Sequence, residues 1–333
     1  MEASRLSTVL VTGAGGFVGS AVVRRLVRTD GVLWDGSPIE RVVALLRPGG
    51  SPTRLEMLRP DGRWTIEHVD LRDDHGLRSL LRRVRPRAAV NTALDAGVYS
   101  GEPVGHAPLE TLFAGLEGPG GETRVVHSGS AWVLAPGDQL DESARVDPRS
   151  PYAQHKAEED QLLPVLGERT GVAWIGLRLF NIFGRYEKPS RLLPYLVSQL
   201  SRNEPAEVSH GAQTRDFNDV DDIAEAFALS LAAPLDACGA LYHIGSGRAT
   251  TVREFALAVA EVAGDPGLVR FGAGETPDQD LPALVSEPSR ARRVLGWLPE
   301  NRLEERLRSA AEWWLEQLAG PAGDRPERQA TLR

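Results

Sequence analysis

Leu6 to Thr12 is an apolar, β-branched run, and behind it apolar residues recur at positions 17, 18, 22, 23, 26 and 27. The first pattern predicts a buried strand, and the second, with its spacing of three and four, predicts an amphipathic helix over Phe17 to Arg28. The pairing repeats along the first half of the chain. Val42 to Leu46 and Trp64 to Val69 are further apolar runs, and Asp73 and Asp74 are placed to cap a helix that continues through Val84. Ala88 to Asn91 and Arg124 to Ser128 predict short strands. Pro151 to Arg169 reads as a helix interrupted at Pro164, and Val172 to Leu179 as one more strand. Strands that are apolar throughout, and separated by helices, predict a parallel sheet covered on both faces. The expected fold is α/β, a doubly wound parallel sheet.

After about residue 180 segments shorten and prolines become denser. Strand–helix alternation resumes around Asp219 to Leu231 and Leu241 to Ala263. This predicts one domain from residues 1–180 plus about 216–247, and a smaller lobe from about 181–215 plus 248–320. The polar tail, 321–333, is expected to be disordered. No internal repeat is visible.

Composition narrows the partners. The 333 residues are 41% hydrophobic and carry a net charge of −8, so neither nucleic acid nor an anionic membrane is the expected partner. A single cysteine, Cys238, excludes a disulfide framework and a thiolate metal site and fits a reducing compartment. No apolar run approaches the roughly 18 residues that span a bilayer, and Met1 to Arg5 lead into the first strand without a signal-peptide pattern. A cytoplasmic protein is expected. The seven histidines show no pair at metal-ligand spacing, so no metal site is expected. His127 and His155 are expected to pack or to support a site, and Trp313-Trp314 to serve the core or an oligomer contact.

Three features carry chemistry. Thr12-Gly13-Ala14-Gly15-Gly16-Phe17-Val18-Gly19 joins the first strand to the first helix. In such a turn Gly13 permits the tight reversal, Gly16 lets a diphosphate approach the backbone, and Gly19 lets helix and strand pack closely. The helix start at Phe17 and Val18 then offers unpaired N–H groups to the phosphates. The second feature is the end of the second strand, where Arg47 follows Leu46 and no acid occurs before Glu56. An acid there would bind the ribose 2′-hydroxyl of NAD, whereas an arginine suits the 2′-phosphate of NADP. Asp70, with Leu71 beside it, closes the third strand and is a candidate acceptor for the adenine amino group. Third, Tyr152 and Lys156 share one helical face at i, i+4 spacing. An ammonium beside a phenol favours the phenolate, which suits the phenol to exchange a proton with a hydroxyl or carbonyl near neutral pH. Of the 38 basic residues only Lys156 and Lys188 are lysines, so a lysine at this position is not background. Ser130 is a candidate third member of the set, hydrogen-bonding the same oxygen.

With these segments the chain resembles the extended short-chain dehydrogenase/reductases, the nucleotide-sugar epimerase, dehydratase and ketoreductase group. The resemblance rests on Val11 through Gly19, Ser150-Pro151-Tyr152 through Lys156, and Leu177-Arg178-Leu179-Phe180-Asn181. It continues through Gln213-Thr214-Arg215-Asp216-Phe217, Val220-Asp221-Asp222, Tyr242 through Gly247, Ser289-Arg290-Ala291 and Leu295-Gly296-Trp297. It implies a Rossmann sheet with a smaller C-terminal substrate-binding lobe, and a homodimer. By the same resemblance Tyr152 is the catalytic acid/base, Lys156 binds the nicotinamide ribose, and Ser130 positions the reacting oxygen. Asn181 and Arg215 hold the substrate, with Arg215 on its diphosphate.

The departures refine the expectation. Dehydratases of this group carry Asp-Glu directly after the catalytic serine or threonine, whereas this chain has Ala131-Trp132. The stretch from Ala93 to Ser130 is shorter than usual, with Leu109 to Leu116 as a trimmed helix. An arginine that the group often uses for the diphosphate is matched here by Pro277, leaving Arg290 or another arginine to compensate. The expected function is NADPH-dependent reduction of a keto group on a nucleotide-activated deoxysugar, best an NDP-4-keto-6-deoxyhexose 4-ketoreductase. The alternative is an NAD-dependent nucleotide-sugar epimerase. A non-enzymatic nucleotide sensor on the same fold is disfavoured by the retained tyrosine and lysine.

Overall fold

The computed structural model describes residues 6–58, 61–100, 102, 104–117, 123–275, 280–299 and 302–320. The first half contains β1 (Thr8–Thr12), α1 (Phe17–Arg28), β2 (Arg41–Leu46), β3 (Trp64–His68), α2 (Asp74–Val84) and β4 (Ala88–Asn91). It continues with α3 (Gly97–Ser100), α4 (Ala107–Gly115), β5 (Arg124–Ser130), β6 (Gly137–Leu140), α5 (Pro151–Thr170) and β7 (Ala173–Leu179). Then follow β8 (Asn181–Phe183), α6 (Leu192–Leu200), β9 (Ala206–Val208), β10 (Thr214–Arg215), β11 (Phe217–Asp219), α7 (Val220–Ala232) and β12 (Ala240–Ile244). The chain closes through β13 (Thr250–Thr251), α8 (Val252–Ala263), β14 (Val269–Phe271), β15 (Ala283–Ser286), α9 (Ser289–Leu295) and α10 (Leu303–Ala319).

Seven strands form one parallel sheet in the order β3-β2-β1-β4-β5-β7-β12. On one face α1 and α7 bury Val22, Leu26, Ile223 and Phe227. On the other, α2, α4 and α5 bury Leu80, Phe113, Leu163 and Leu166. This is the expected doubly wound architecture. The order of the strands reverses between β1 and β4, and in open sheets of this kind the crevice at the carboxyl ends of such neighbours is where ligands bind. Thr12, Asn91 and Ser130 all stand at those ends.

The helix N-termini follow local chemistry. Asp73 caps α2 by accepting from Gly76 N, and Ser150 caps α5 by accepting from Ala153 N, with Pro151 in the first turn. Helix α5 corrects one expectation, because it runs unbroken through Pro164. A proline forfeits one backbone hydrogen bond, but Leu163 and Leu166 on either side are completely buried against the sheet and hold the helix on course.

The smaller lobe has its own core, in which α6, α8 and α10 surround Phe183, Leu196, Phe217, Phe255 and Leu307. A four-stranded sheet, β13-β10-β15-β6, lies beside it. The segment 289–297 packs with the large sheet rather than with this lobe: Ala291, Leu295 and Trp297 are buried in the main core, and Trp297 Nε1 donates to Asp222 O at 2.9 Å. The tail expected to be disordered, 321–333, and Met1 to Arg5 lie outside the described residues. Among the described residues no helix is long and apolar enough to cross a membrane.

Candidate active site

The turn after β1 is built for close approach. Gly13 has a φ of 67°, and a Cβ placed there would stand 2.7 Å from Ala93 N in the loop after β4. A Cβ on Gly19 would collide with the Gly13 carbonyl, so α1 lies directly on the turn. Gly16 is exposed and would meet only Gly13 O, at 3.0 Å. Helix α1 starts there with no side-chain cap and no acid in its first turn, so its first N–H groups and the positive end of its dipole face outward. Phe17 and Val18 are half-buried against the core. This open, uncapped cradle fits the diphosphate of a dinucleotide. Arg54, from the segment after β2, closes one side by donating to Gly15 O and Tyr186 O, each at 3.0 Å.

Arg47 is exposed immediately after β2, with no side-chain partner among the described residues. Asp70 is engaged by its neighbour: Arg72 donates to its two carboxylate oxygens at 3.2 and 3.0 Å and holds the carboxyl below the ordinary range. Leu71 beside it packs against the face formed by α2 and α4.

Tyr152 sits in the first turn of α5, half-buried, with Tyr99 of α3 stacked on its ring. Lys156, one turn on, is buried; its Nζ donates to Ser128 O at 2.9 Å and stands 2.8 Å from Glu159 Oε2. Burial opposes its charge, but Glu159, with Tyr152 and Asp160, outweighs that penalty and lifts its pKa above the ordinary lysine value. Ser130 ends β5 two residues after Ser128 and so points to the same face of the sheet. Its Oγ accepts from Trp132 N at 3.3 Å. The following turn, Ala131–Val133, buries Ala131 completely and offers no carboxylate.

Sequence reasoning did not single out Glu159. It is buried on α5 with Lys156, with His127 Nε2 at 3.4 Å and with His155 Nε2 at 3.6 Å. Burial alone would favour the neutral acid; Lys156 and His127 overcome it, and the carboxyl lies well below its usual range. The i, i+3 spacing to Lys156 was the available signal. The histidines, scattered in sequence, partly converge: His106 stacks on His155, and ligand atoms of these two and Glu159 lie within 4.8 Å of one another. The rings are near-parallel at 21°, so their nitrogens do not point to one common centre.

Beyond the sheet, Asn181 opens β8 with its Oδ1 buried and unpartnered among the described residues. Arg215 is buried on β10, ion-paired with Asp280, donating to Thr214 O at 2.7 Å and standing over the Trp132 ring. Its charge is therefore already shared with a carboxylate, which sequence reasoning missed. Pro277 lies outside the described residues. Arg290 stands over the ring of Tyr242 on β12, with no contact to Arg215 or Asp280 among the described residues. Trp313 and Trp314 clasp the segment after β8: Trp313 packs on Tyr186, and Trp314 Nε1 donates to Gly184 O at 3.2 Å.

Comparison with known proteins bears on this geometry. The sequence profile described as the NAD dependent epimerase/dehydratase family matches residues 9–245. A dTDP-glucose 4,6-dehydratase of Neisseria meningitidis serogroup B is 26% identical, over 92% of this chain and 93% of its own. A UDP-glucose 4-epimerase of Azospirillum brasilense is 29% identical, over 95% of this chain and 94% of its own. Among solved structures, the UDP-glucose 4-epimerase of Thermus thermophilus in complex with NAD superposes with a TM-score of 0.72 and 26% identity, covering 92% of this chain and 98% of that one.

Proposed function

The chain belongs to the NAD dependent epimerase/dehydratase family, as an enzyme of the extended short-chain dehydrogenase/reductase type, and from that premise we propose that it reduces the keto group of a nucleotide-activated sugar with NADPH, as an NDP-4-keto-6-deoxyhexose 4-ketoreductase. The observation that carries the cofactor, and with it the reductive direction, is Arg47: an exposed guanidinium just after β2, without a side-chain partner among the described residues and with no carboxylate between it and Glu56 in sequence. Eliminating water needs an acid and a base beside Ser130, and the Ala131–Val133 turn supplies neither.

The nicotinamide, when bound, supplies the hydride. Tyr152 is the proton donor to the oxygen that becomes the hydroxyl; Tyr99 stacks on its ring, and its hydroxyl has no hydrogen-bond partner among the described residues. Lys156 places a buried positive charge one helical turn away, and Ser130 Oγ hydrogen-bonds the same oxygen and holds it against the phenol. Asn181 offers its unfilled Oδ1 to a sugar hydroxyl, and Arg215 faces the diphosphate.

A second reading, an NAD-retaining 4-epimerase, is favoured by the names of the Azospirillum and Thermus relatives. The test is a pair of incubations. With an NDP-4-keto-6-deoxyhexose and NADPH, a reductase consumes one NADPH per ketone. With UDP-glucose and no added cofactor, interconversion to UDP-galactose by protein that retains NAD would establish the epimerase instead.

A further inference from the structure

Lys156 ends a chain of buried polar groups that begins in the strand before the glycine turn. Thr12 Oγ1 donates to Asn91 Oδ1 at 2.5 Å, and Asn91 Nδ2 stands 3.1 Å from His127 Nδ1. With its oxygen taken by Thr12, the Asn91 amide turns its N–H to the imidazole, so Nδ1 is the acceptor and the ring proton sits on Nε2. That nitrogen faces Glu159 Oε2 at 3.4 Å, and the same oxygen stands 2.8 Å from Lys156 Nζ. Four elements, β1, β4, β5 and α5, carry the links, and all five side chains are buried. An ammonium has three N–H groups. Here Ser128 O takes one, and Glu159 Oε2 lies 2.8 Å from Nζ as an ion-pair contact rather than an aligned hydrogen bond.

We propose that Glu159 is a positioning residue, the resident counter-ion of Lys156: buried beside the Thr12–Asn91–His127 chain, it keeps the ammonium charged in its seat and leaves that charge to face the nicotinamide ribose and the Tyr152 hydroxyl. This rests on the reading of Lys156 as the ribose-binding lysine. The physical need is direct. A buried ammonium without a counter-ion gives up its proton, and a neutral amine grips a ribose and supports the phenol less well. The groups facing the pair are Tyr152, His155 and Asp160 on α5 and His127 on β5. Asp160 is tied to Arg178 of β7 at 2.8 Å, while His106 lies on His155 and Tyr99 on Tyr152. None of these replaces Glu159, because Asp160 is claimed by Arg178 and the histidines bring no negative charge.

The chain's two lysines make the test clean. Protein labelled with 15N at the lysine ε-position shows two side-chain signals, and K188R assigns them. Titrated without ligand, wild-type Lys156 is expected to stay charged beyond the ordinary lysine midpoint of 10.5. In E159Q its proton affinity is expected to fall at least about tenfold, one pH unit. The alkaline loss of NADPH affinity is then expected to begin about one pH unit or more lower in E159Q than in the wild type. E159D, whose shorter carboxylate draws back from Nζ, is expected to shift the midpoint by less, and it carries the test alone if E159Q does not fold. An unchanged Lys156 midpoint in these variants overturns the proposal, whatever the substrate. A shifted midpoint in a protein that turns over no nucleotide sugar sustains it and strikes only the functional reading above.

Discussion

The rings of Tyr99 and Tyr152 lie face to face, 5.3 Å between centroids and 6° from parallel. Tyr99 comes from the short helix α3 and is 68% exposed, so the cover over the Tyr152 phenol arrives from the solvent side. Tyr152→Phe keeps that stack and removes only the hydroxyl. Turnover is expected to fall about 10²-fold or more, the scale of a lost general acid, while dinucleotide affinity holds. Steady-state rates and a cofactor titration on the same preparation decide it. Near-normal turnover would take Tyr152 out of the chemistry.

Arg215 and Asp280 make a paired prediction. A charge-assisted bond to an anion contributes roughly 1.5–3 kcal/mol, so Arg215→Ala is expected to weaken nucleotide-sugar binding about tenfold or more and leave NADPH affinity unchanged. Because Asp280 now neutralises the guanidinium, Asp280→Asn is expected to preserve or tighten substrate binding. Calorimetric titration of both variants separates a diphosphate contact from a purely structural ion pair. If D280N weakens binding as much as R215A, the pair serves the fold alone.

Arg47 sets the cofactor prediction. A guanidinium–phosphate contact at an exposed rim contributes about 1–2 kcal/mol, roughly 5- to 30-fold in affinity, so NADPH is expected to bind more tightly than NADH. Arg47→Asp is expected to erase or invert that preference, since a carboxylate repels the 2′-phosphate. Equal affinities in the wild type, or NAD retained through purification, would favour the epimerase.

Glu187 links pH to stability. Buried in the segment after β8, where burial outweighs Arg191 Nε at 3.6 Å and the Gly184 backbone, its carboxyl is pushed up to about 7. The folded protein therefore keeps a proton that the unfolded chain releases above pH 4.5. Stability falls as pH rises from there to about 7 and is then level. Glu187→Gln mimics the protonated form. It is expected to match the wild type near pH 4 and exceed it at pH 8 by on the order of 3 kcal/mol or less. Asp219, also raised to about 7 by burial, leaves part of the slope in place. Urea unfolding at pH 5 and pH 8 measures the difference; a variant as pH-sensitive as the wild type would assign the slope elsewhere.

What the sequence alone determined is whatever a short stretch encodes by itself. The parallel sheet was legible because its strands are apolar on both faces. The glycine turn was legible because Gly13 needs a positive φ and Gly19 a close approach, and the cap of α2 because Asp73 stands one turn before a helical period. The Tyr152 and Lys156 pair shows in five residues of helix. The tertiary structure decided the rest, because there the outcome depends on what packs against a residue. Pro164 stays within α5 because Leu163 and Leu166 are sealed against the sheet, and 289–297 joins the main core because Trp297 finds its hydrogen bond and burial there. Arg215 finds Asp280 only when β10 lies beside β15. Glu159 was three residues from Lys156 in plain view, but such a pair on an exposed helix is worth only a few tenths of a kcal/mol. Burial against His127 removes the water that would otherwise screen it, and that makes the same two residues a single charged unit.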